Sequence, residues 1–136
     1  MQSGLAHIQF NVQATHIAFY RDLLGFLGWR ILHEEDGMLG VAGKGETSLW
    51  FMGQVKEAHN DYDGPGMNHR AIGTESQEDV DAVAAYLSER GVRHLFDTPR
   101  HRPEFTGKEG QTYYQVMFES PDGILWEVVY TGPKAA

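Results

Sequence analysis

The sequence predicts an α+β chain built from two similar modules, and three observations support that prediction. Residues 5–31 and 67–94 share one order: an apolar residue, a spacer, a histidine, a short strand, a helical pattern, then Gly, an apolar residue and Arg. Strand-like runs follow each helical pattern, and turn signals separate several of these runs. A segment rich in Gly and Asp joins the two halves. We place module 1 at about residues 4–57, the linker at 58–65 and module 2 at about 66–131.

The first module opens with a strand and a helix. The strand, in residues 5–12, alternates apolar side chains with polar ones, and His7 and Gln9 share the polar face. The helix is predicted by an apolar stripe at helical spacing, formed by Ile17, Tyr20, Leu24 and Leu27. Three strand-like runs complete the module: WRILHEE, MLGVAG and TSLWFM.

The second module repeats this order, with His69 near the start of its first strand. Ser76 is a predicted N-cap with Asp79 three residues later, and Gly91 is a predicted helix stop. The helical stripe between them consists of Val80, Val83, Ala84 and Leu87. The strand-like runs that follow are VRHLFD, YYQVMFES and ILWEVVY. A predicted loop at residues 98–112 has no counterpart in module 1, and loops of this length are usually functional or disordered.

Composition excludes several classes of function. A chain of 136 residues is long enough to bury a core without disulfides or a structural metal. The absence of cysteine excludes disulfides, thiolate metal sites and cysteine nucleophiles. A formal charge of −8 argues against a nucleic-acid partner. Neither a secretory signal nor an apolar run of about 20 residues is present, so we expect a cytoplasmic protein without a membrane partner.

Three residues stand out as candidate metal ligands when they are taken together. Glu127 lies mid-strand between Leu125 and Val129, and burying an unpartnered carboxylate costs several kcal/mol or raises its pKa. His7 and His69 occupy equivalent positions in the two modules. A single strand histidine is more often structural than a ligand, by about three to one. Two histidines and one carboxylate, however, are the ligand set of non-haem iron and also suit Zn, Mn, Co or Ni.

Four stretches carry a resemblance to a known family. LAHIQFNV followed by FYRDLLGFLGW, then GMNHRAIG and finally ESPDGILWEVV, resemble the vicinal oxygen chelate superfamily. That group includes glyoxalase I, extradiol dioxygenases, fosfomycin-resistance enzymes, methylmalonyl-CoA epimerase and the metal-free bleomycin-resistance proteins. The resemblance implies a single domain over residues 1–136, in which two βαβββ modules form a U-shaped mixed sheet around a central cleft. It also implies that His7, His69 and Glu127 bind one divalent metal ion (Fe, Zn, Mn, Ni or Co), which acts as a Lewis acid.

The fourth ligand of some relatives has no clear equivalent in this chain. Glyoxalase I and the epimerase resemble each other in taking this ligand from the last strand of the first module. The nearest residues here are Ser48 and Trp50, and neither is a good ligand. Glu46 would fill the position only in a different strand register. This departure favours the branches with three protein ligands, among them the extradiol dioxygenases and the fosfomycin-resistance enzymes.

Those two branches imply further site residues. An extradiol dioxygenase needs His and Tyr side chains for proton transfer. His94, His101, Tyr113 and Tyr114 are available, and of these we predict His101 and Tyr114 in these roles. Fosfomycin-resistance enzymes bind a phosphonate through polar and cationic residues, and Arg100 and Arg102 lie in a local positive patch. The predicted substrate-binding residues are these two arginines together with Gln9, Trp50 and Tyr113.

We therefore expect a metal-dependent enzyme that acts on a small, anionic substrate with chelating oxygens. Lyase, isomerase and ring-cleaving dioxygenase chemistry all stay open at this point. The alternative is a metal-free, bleomycin-resistance-type protein that binds a small molecule without turnover, and a third reading is a scaffold domain. The resemblance also implies a homodimer.

Overall fold

The computed structural model describes residues 1–135 and divides into two compact units, Met1–His59 and the segment from Asn60 onward. This division lies inside the segment predicted as the linker. Each unit contains one β-α-β-β-β module, in the order that the sequence predicts. The fold class is therefore α+β, as predicted.

The first unit is a mixed sheet with one helix packed on it. Its elements are β1 (His7–Asn11), α1 (Ile17–Phe26), β2 (Arg30–Glu35), β3 (Met38–Ala42) and β4 (Ser48–Met52). The strand order is β1-β4-β3-β2. β1 runs parallel to β4, and the other neighbours are antiparallel.

Aromatic stacking joins α1 to its sheet. The Tyr20 ring of α1 stacks on Phe51 of β4 with the ring centroids 4.5 Å apart, and Phe51 stacks on Phe10 of β1 at 5.0 Å. All three side chains are buried. The apolar face of β1 therefore packs toward the helix, which leaves His7 and Gln9 on the opposite face.

The second unit repeats the architecture with longer strands. Its elements are β5 (His69–Thr74), α2 (Gln77–Glu89), β6 (His94–His101), β7 (Gln111–Glu119) and β8 (Leu125–Pro133). The strand order is β5-β8-β7-β6, with β5 parallel to β8. The predicted caps of α2 are confirmed, because Ser76 Oγ accepts a hydrogen bond from the Asp79 N–H and Gly91 has a φ of +70°.

The prediction of a loop over residues 98–112 was wrong at both ends. β6 continues to His101, and β7 already begins at Gln111. Between these strands the chain forms a short 3-10 turn at Pro103–Phe105.

A bulge in β6 explains why the sequence predicts a shorter strand than the structure has. Phe96 and Asp97 both have a φ of 56°, which interrupts the alternation of side chains. The Thr98 hydroxyl donates to the Leu95 carbonyl oxygen at 2.7 Å and accepts from the Met117 N–H at 2.9 Å. This side chain thus replaces backbone pairing across the bulge, and the strand resumes beyond it.

Neither helix spans a membrane: among residues 1–135 no helix combines the length and the apolar character that a bilayer crossing requires.

Candidate functional site

Glu127 is the buried carboxylate at the centre of the candidate site. Its side chain is 2% exposed. The Tyr113 hydroxyl donates a short hydrogen bond to Oε1, and Nε2 of His69 lies 3.0 Å from Oε2. A carboxylate buried to this degree is stable only with partners, and these two groups supply them.

The strand register explains why these side chains meet. β5 places Ala71 opposite Glu127, and β7 places Met117 opposite Glu127 from the other side. Side chains at paired positions project to the same face of a sheet, and so do those two residues away along each strand. We call this surface the Glu127 face and the opposite surface, on which α2 packs, the helix face. The Glu127 face carries His69, Ala71, Gly73, Arg100, Tyr113, Gln115, Met117, Leu125, Glu127 and Val129.

Asn68 fixes the proton on one nitrogen of His69. The Asn68 amide nitrogen donates to the Tyr62 carbonyl oxygen at 2.9 Å, which orients the amide. Its amide oxygen lies 2.7 Å from Nδ1 of His69. Because an amide oxygen can only accept, Nδ1 must carry a proton. The Nε2 lone pair then points at the Glu127 carboxylate, unless a second proton or a cation lies between them.

Tyr113 acts as a hydrogen-bond donor to Glu127 at neutral pH. Burial, followed by the hydrogen bond to Glu127, raises the pKa of Tyr113, while the Arg102 charge opposes this shift. The phenol therefore stays protonated. Since Tyr113 satisfies Oε1, Oε2 is left to interact with His69 or with a cation.

His69 and Glu127 together supply two of the ligands that a divalent metal ion needs. An imidazole nitrogen and a carboxylate oxygen 3.0 Å apart can both lie about 2.0–2.2 Å from one ion. Within residues 1–135, no three His, Cys, Asp or Glu side chains are grouped so that they could hold an ion together. The assignment of His7 as a third ligand therefore stays a prediction.

The first unit presents His7 and Gln9 on the exposed face of β1. Their register partners on β4 are Ser48 and Trp50, so these four side chains share a face. The Trp50 indole N–H donates to the Ser48 hydroxyl oxygen at 3.0 Å. Of the residues considered for a fourth ligand position, Ser48 is thus the direct neighbour of His7.

Glu46 is engaged in a different contact. It precedes β4 in a 3-10 turn, and its carboxylate forms an ion pair with Arg30 at 2.6 Å. The hydrogen bond from Arg30, reinforced by its charge, lowers the pKa of Glu46.

His101 and Tyr114 lie on the helix face of the second sheet. The register pairs them with each other, and their rings are 4.4 Å apart. The Tyr114 hydroxyl donates to Asp81 of α2 at 2.5 Å, and Nδ1 of His101 lies 2.6 Å from the Thr112 hydroxyl oxygen. Burial, followed by the charge of Lys134, lowers the pKa of His101.

The two residues predicted for proton transfer are therefore not brought together with Glu127. Tyr114 is adjacent to Tyr113 in β7, and adjacent residues point to opposite faces of a strand. Tyr113, which the sequence analysis assigned to substrate binding and considered beside Tyr114 for proton transfer, is the tyrosine that contacts the carboxylate.

An aromatic and cationic cluster adjoins Tyr113. The Phe105 ring meets the Tyr113 ring edge-on, with centroids 5.3 Å apart. The Arg102 guanidinium lies 4.7 Å from the Phe105 ring centroid and forms an ion pair with Glu104 at 3.3 Å. The segment that the sequence marked as a positive patch thus reaches the Glu127 face through Phe105 and Tyr113.

Sequence reasoning missed two residues of this site. Asn68 directly precedes the candidate ligand His69 in the chain, and this adjacency could have identified it as a residue that contacts the histidine. Gln115 also belongs to the Glu127 face, but nothing in the local sequence distinguishes it from an ordinary strand residue.

Comparison with known proteins identifies the family. The family model of the Glyoxalase/Bleomycin resistance protein/Dioxygenase superfamily matches residues 4–128. The chain belongs to this superfamily. Its members commonly bind a divalent metal ion and a small molecule, and they often form dimers.

Solved structures support the same fold. The chain is similar to a Bacillus halodurans protein described as a candidate glyoxalase, with 29% identity, a TM-score of 0.77 and coverage of 95% of this chain and 96% of that one. It is also similar to a glyoxalase/dioxygenase from Nostoc punctiforme, with 17% identity, a TM-score of 0.73 and coverage of 96% and 92%. A glyoxalase/bleomycin resistance protein from Albidiferax ferrireducens T118 gives 18% identity, a TM-score of 0.72 and coverage of 93% and 98%. At the lower identities the likeness shows the fold alone.

A curated relative matches part of the chain. The uncharacterized protein YqjT of Bacillus subtilis (strain 168) is 39% identical over 64 residues. That stretch is 47% of this chain and 46% of the relative, so the match spans less than half of either protein.

Proposed function

We propose that this chain is a metal-dependent enzyme that acts on a small molecule with neighbouring, chelating oxygens. The observation that supports this best is the orientation of His69. Asn68 holds the Nδ1 proton, so Nε2, when it carries no proton of its own, presents a lone pair to a buried carboxylate 3.0 Å away. A lone pair facing an anionic oxygen is repulsive, and a shared cation would convert that repulsion into attraction.

His69 and Glu127 each have a hydrogen-bond partner of the kind that usually orients a metal ligand. A ligating histidine commonly donates its other N–H to an oxygen, and a ligating carboxylate is itself hydrogen-bonded. Asn68 and Tyr113 supply these two contacts. A divalent ion bound here would supply Lewis acidity for charge that develops on a substrate oxygen. The chain's own part is to hold His69 and Glu127 in fixed orientations.

We infer that His7 supplies the third ligand. In each unit a histidine is the first residue of the strand that runs parallel to the last strand of its module: His7 begins β1 and His69 begins β5. This equivalence supports the assignment of both residues to one ligand set. Lyase, isomerase and ring-cleaving dioxygenase reactions can all use such a set, and a substrate panel that includes catechols would separate them.

The metal content of the purified protein tests this proposal. We expect about one divalent ion per chain by elemental analysis, and its loss in His7→Ala, His69→Ala and Glu127→Gln variants. His59→Ala is the matched control, because His59 is exposed and lies outside all strands. A natural chain that takes up no zinc, cobalt, iron, manganese or nickel would contradict the proposal. Retention of metal by His7→Ala alone would contradict only the assignment of His7.

One observation favours a second function, that of a metal-free binding protein. A doubly protonated His69 would form a direct ion pair with Glu127, and that arrangement would need no metal. In that case we expect the protein to bind a small molecule without chemical change, as the bleomycin-resistance relatives that it resembles do. Ligand binding by metal-free protein, with no product detected by mass spectrometry, would favour this function over the first.

We further infer a homodimer, on the basis that members of the superfamily often dimerise. Light scattering during size-exclusion chromatography would test this inference. A mass close to twice 15.3 kDa is expected, and a mass of one chain would contradict it.

A further inference from the structure

Gln115 is a buried amide without a partner on the Glu127 face. Its side chain is 4% exposed, and among residues 1–135 it forms no hydrogen bond or ion pair. Its amide atoms nevertheless keep some access to solvent. An amide that has no partner in the protein but still reaches solvent can form hydrogen bonds with a ligand that binds on this face.

Arg100 lies beside Gln115 on the same face. The register pairs the two residues across β6 and β7, which places their Cβ atoms about 5 Å apart. Arg100 is exposed and has no ion-pair partner in the part of the chain that the structure describes, whereas nearby Arg102 binds Glu104. In a chain with 19 acidic and 11 basic residues, an arginine that lacks an acidic partner is available to a ligand.

The register also sets the distance from this pair to Glu127. Met117 lies directly opposite Glu127, and Gln115 is two residues further along β7. Diagonal neighbours of this kind lie about 7–8 Å apart, and their Cβ atoms are somewhat closer. A group held by Arg100 and Gln115 would therefore lie within the length of one small molecule from the Glu127 carboxylate.

We propose that Arg100 and Gln115 bind a carboxylate of the substrate. The guanidinium fork matches the two oxygens of a carboxylate, and the Gln115 amide nitrogen supplies a further donor. The substrate is then a small acid with chelating oxygens at one end and a carboxylate a few carbons away. The position of the chelating end rests on the proposed function, but the carboxylate subsite itself needs no metal.

A matched pair of ligands tests the subsite. 2-Hydroxyglutarate and 2-hydroxypentanoate share the chelating hydroxy acid, and only the first carries a second carboxylate. By calorimetry on the zinc-loaded protein, we expect 2-hydroxyglutarate to bind about tenfold more tightly or better. Arg100→Gln and Gln115→Leu should each remove this preference and leave the affinity for 2-hydroxypentanoate unchanged. Arg93→Gln, which makes the same charge change just before β6, should keep the preference.

Three results with the two hydroxy acids would overturn the proposal. The first is that the natural chain binds the two ligands with equal affinity, or binds neither of them detectably. The second is a preference that survives both substitutions, and the third is a preference lost to the same extent in Arg93→Gln. Tighter binding of inorganic phosphate than of glutarate, dependent on Arg100, would overturn the choice of a carboxylate. Gln115→Met replaces Gln115→Leu if the leucine variant does not fold.

Glutarate binding to the metal-free protein separates this proposal from the proposed function. If the natural chain takes up no metal but binds glutarate through Arg100 and Gln115, the subsite stands and the metal-dependent function fails. If metal binds and neither glutarate nor the second carboxylate matters, the subsite alone fails.

Discussion

Separate replacement of Tyr113 and Tyr114 by phenylalanine gives a matched test of the Glu127 site. Each substitution removes one hydroxyl that donates to a carboxylate, and the two residues are adjacent in β7. The acceptors differ in their surroundings. Glu127 is buried on one face of the sheet, whereas Asp81 is exposed on α2 at the other face.

The expected magnitudes follow from this difference in burial. Hydrogen bonds to charged groups contribute about 1.5–3 kcal/mol to stability, and a buried acceptor that loses its donor is not rehydrated. We therefore expect Tyr113→Phe to lower the free energy of unfolding by about 1.5–3 kcal/mol. Water can replace the lost donor at exposed Asp81, so Tyr114→Phe should cost about 0.5–1.5 kcal/mol.

Metal affinity should separate the two variants further. Loss of a hydrogen-bond partner of a metal ligand typically costs 10–100-fold in affinity, and we expect a loss of about this size for Tyr113→Phe alone. Urea unfolding of the metal-free proteins and a cobalt titration followed by absorbance would supply both measurements. Equal losses of affinity in the two variants, or an unchanged affinity in Tyr113→Phe, would refute the inference that Tyr113 orients Glu127.

Further predictions concern other parts of the chain. A Cβ at Gly40 would lie 2.4 Å from the Trp50 ring, whereas one at Gly25 in α1 meets no atom within 4 Å. In urea unfolding, Gly40→Ala should therefore destabilise the protein by about 1–3 kcal/mol, and Gly25→Ala should stabilise it by about 0.5–1 kcal/mol; the opposite order would contradict this packing. Burial, followed by the hydrogen bond to α2, raises the pKa of Tyr114 to about 12 from about 10 in an unfolded chain. The stability that Tyr114 contributes through this hydrogen bond should be complete below about pH 10 and lost between about pH 10 and 12. The natural chain should therefore lose unfolding free energy relative to Tyr114→Phe over that range. A difference between the two proteins that stays constant with pH would argue against the raised pKa. Glu46→Gln should leave the metal content unchanged, because Glu46 is bound to an arginine; a loss of metal would make it a ligand.

The repeated module could be predicted because its signals are local. Apolar stripes at helical spacing marked α1 and α2, and Ser76 and Gly91 marked the ends of α2 correctly. Alternation along β8 placed Leu125 and Val129 on the same face as Glu127, and the observed register has them there. These features depend on residues within a few positions of each other, so a single sequence contains them.

The loop at residues 98–112 shows where local signals fail. The bulge at Phe96 and Asp97 breaks the alternation, and the strand continues only because the Thr98 hydroxyl bonds to Leu95 and Met117. Met117 is 19 residues away from Thr98 in the chain. No local pattern reports a contact of that range.

The sequence by itself determined the class of fold and the two modules, and it led to the prediction that His7, His69 and Glu127 form one ligand set. Only the tertiary structure decided that Tyr113 rather than Tyr114 donates to Glu127, that Asn68 orients the His69 ring, and that Gln115 is buried without a side-chain partner among residues 1–135. The physical reason is that alternation tells which residues of one strand share a face, whereas the register with neighbouring strands decides which side chains meet across them.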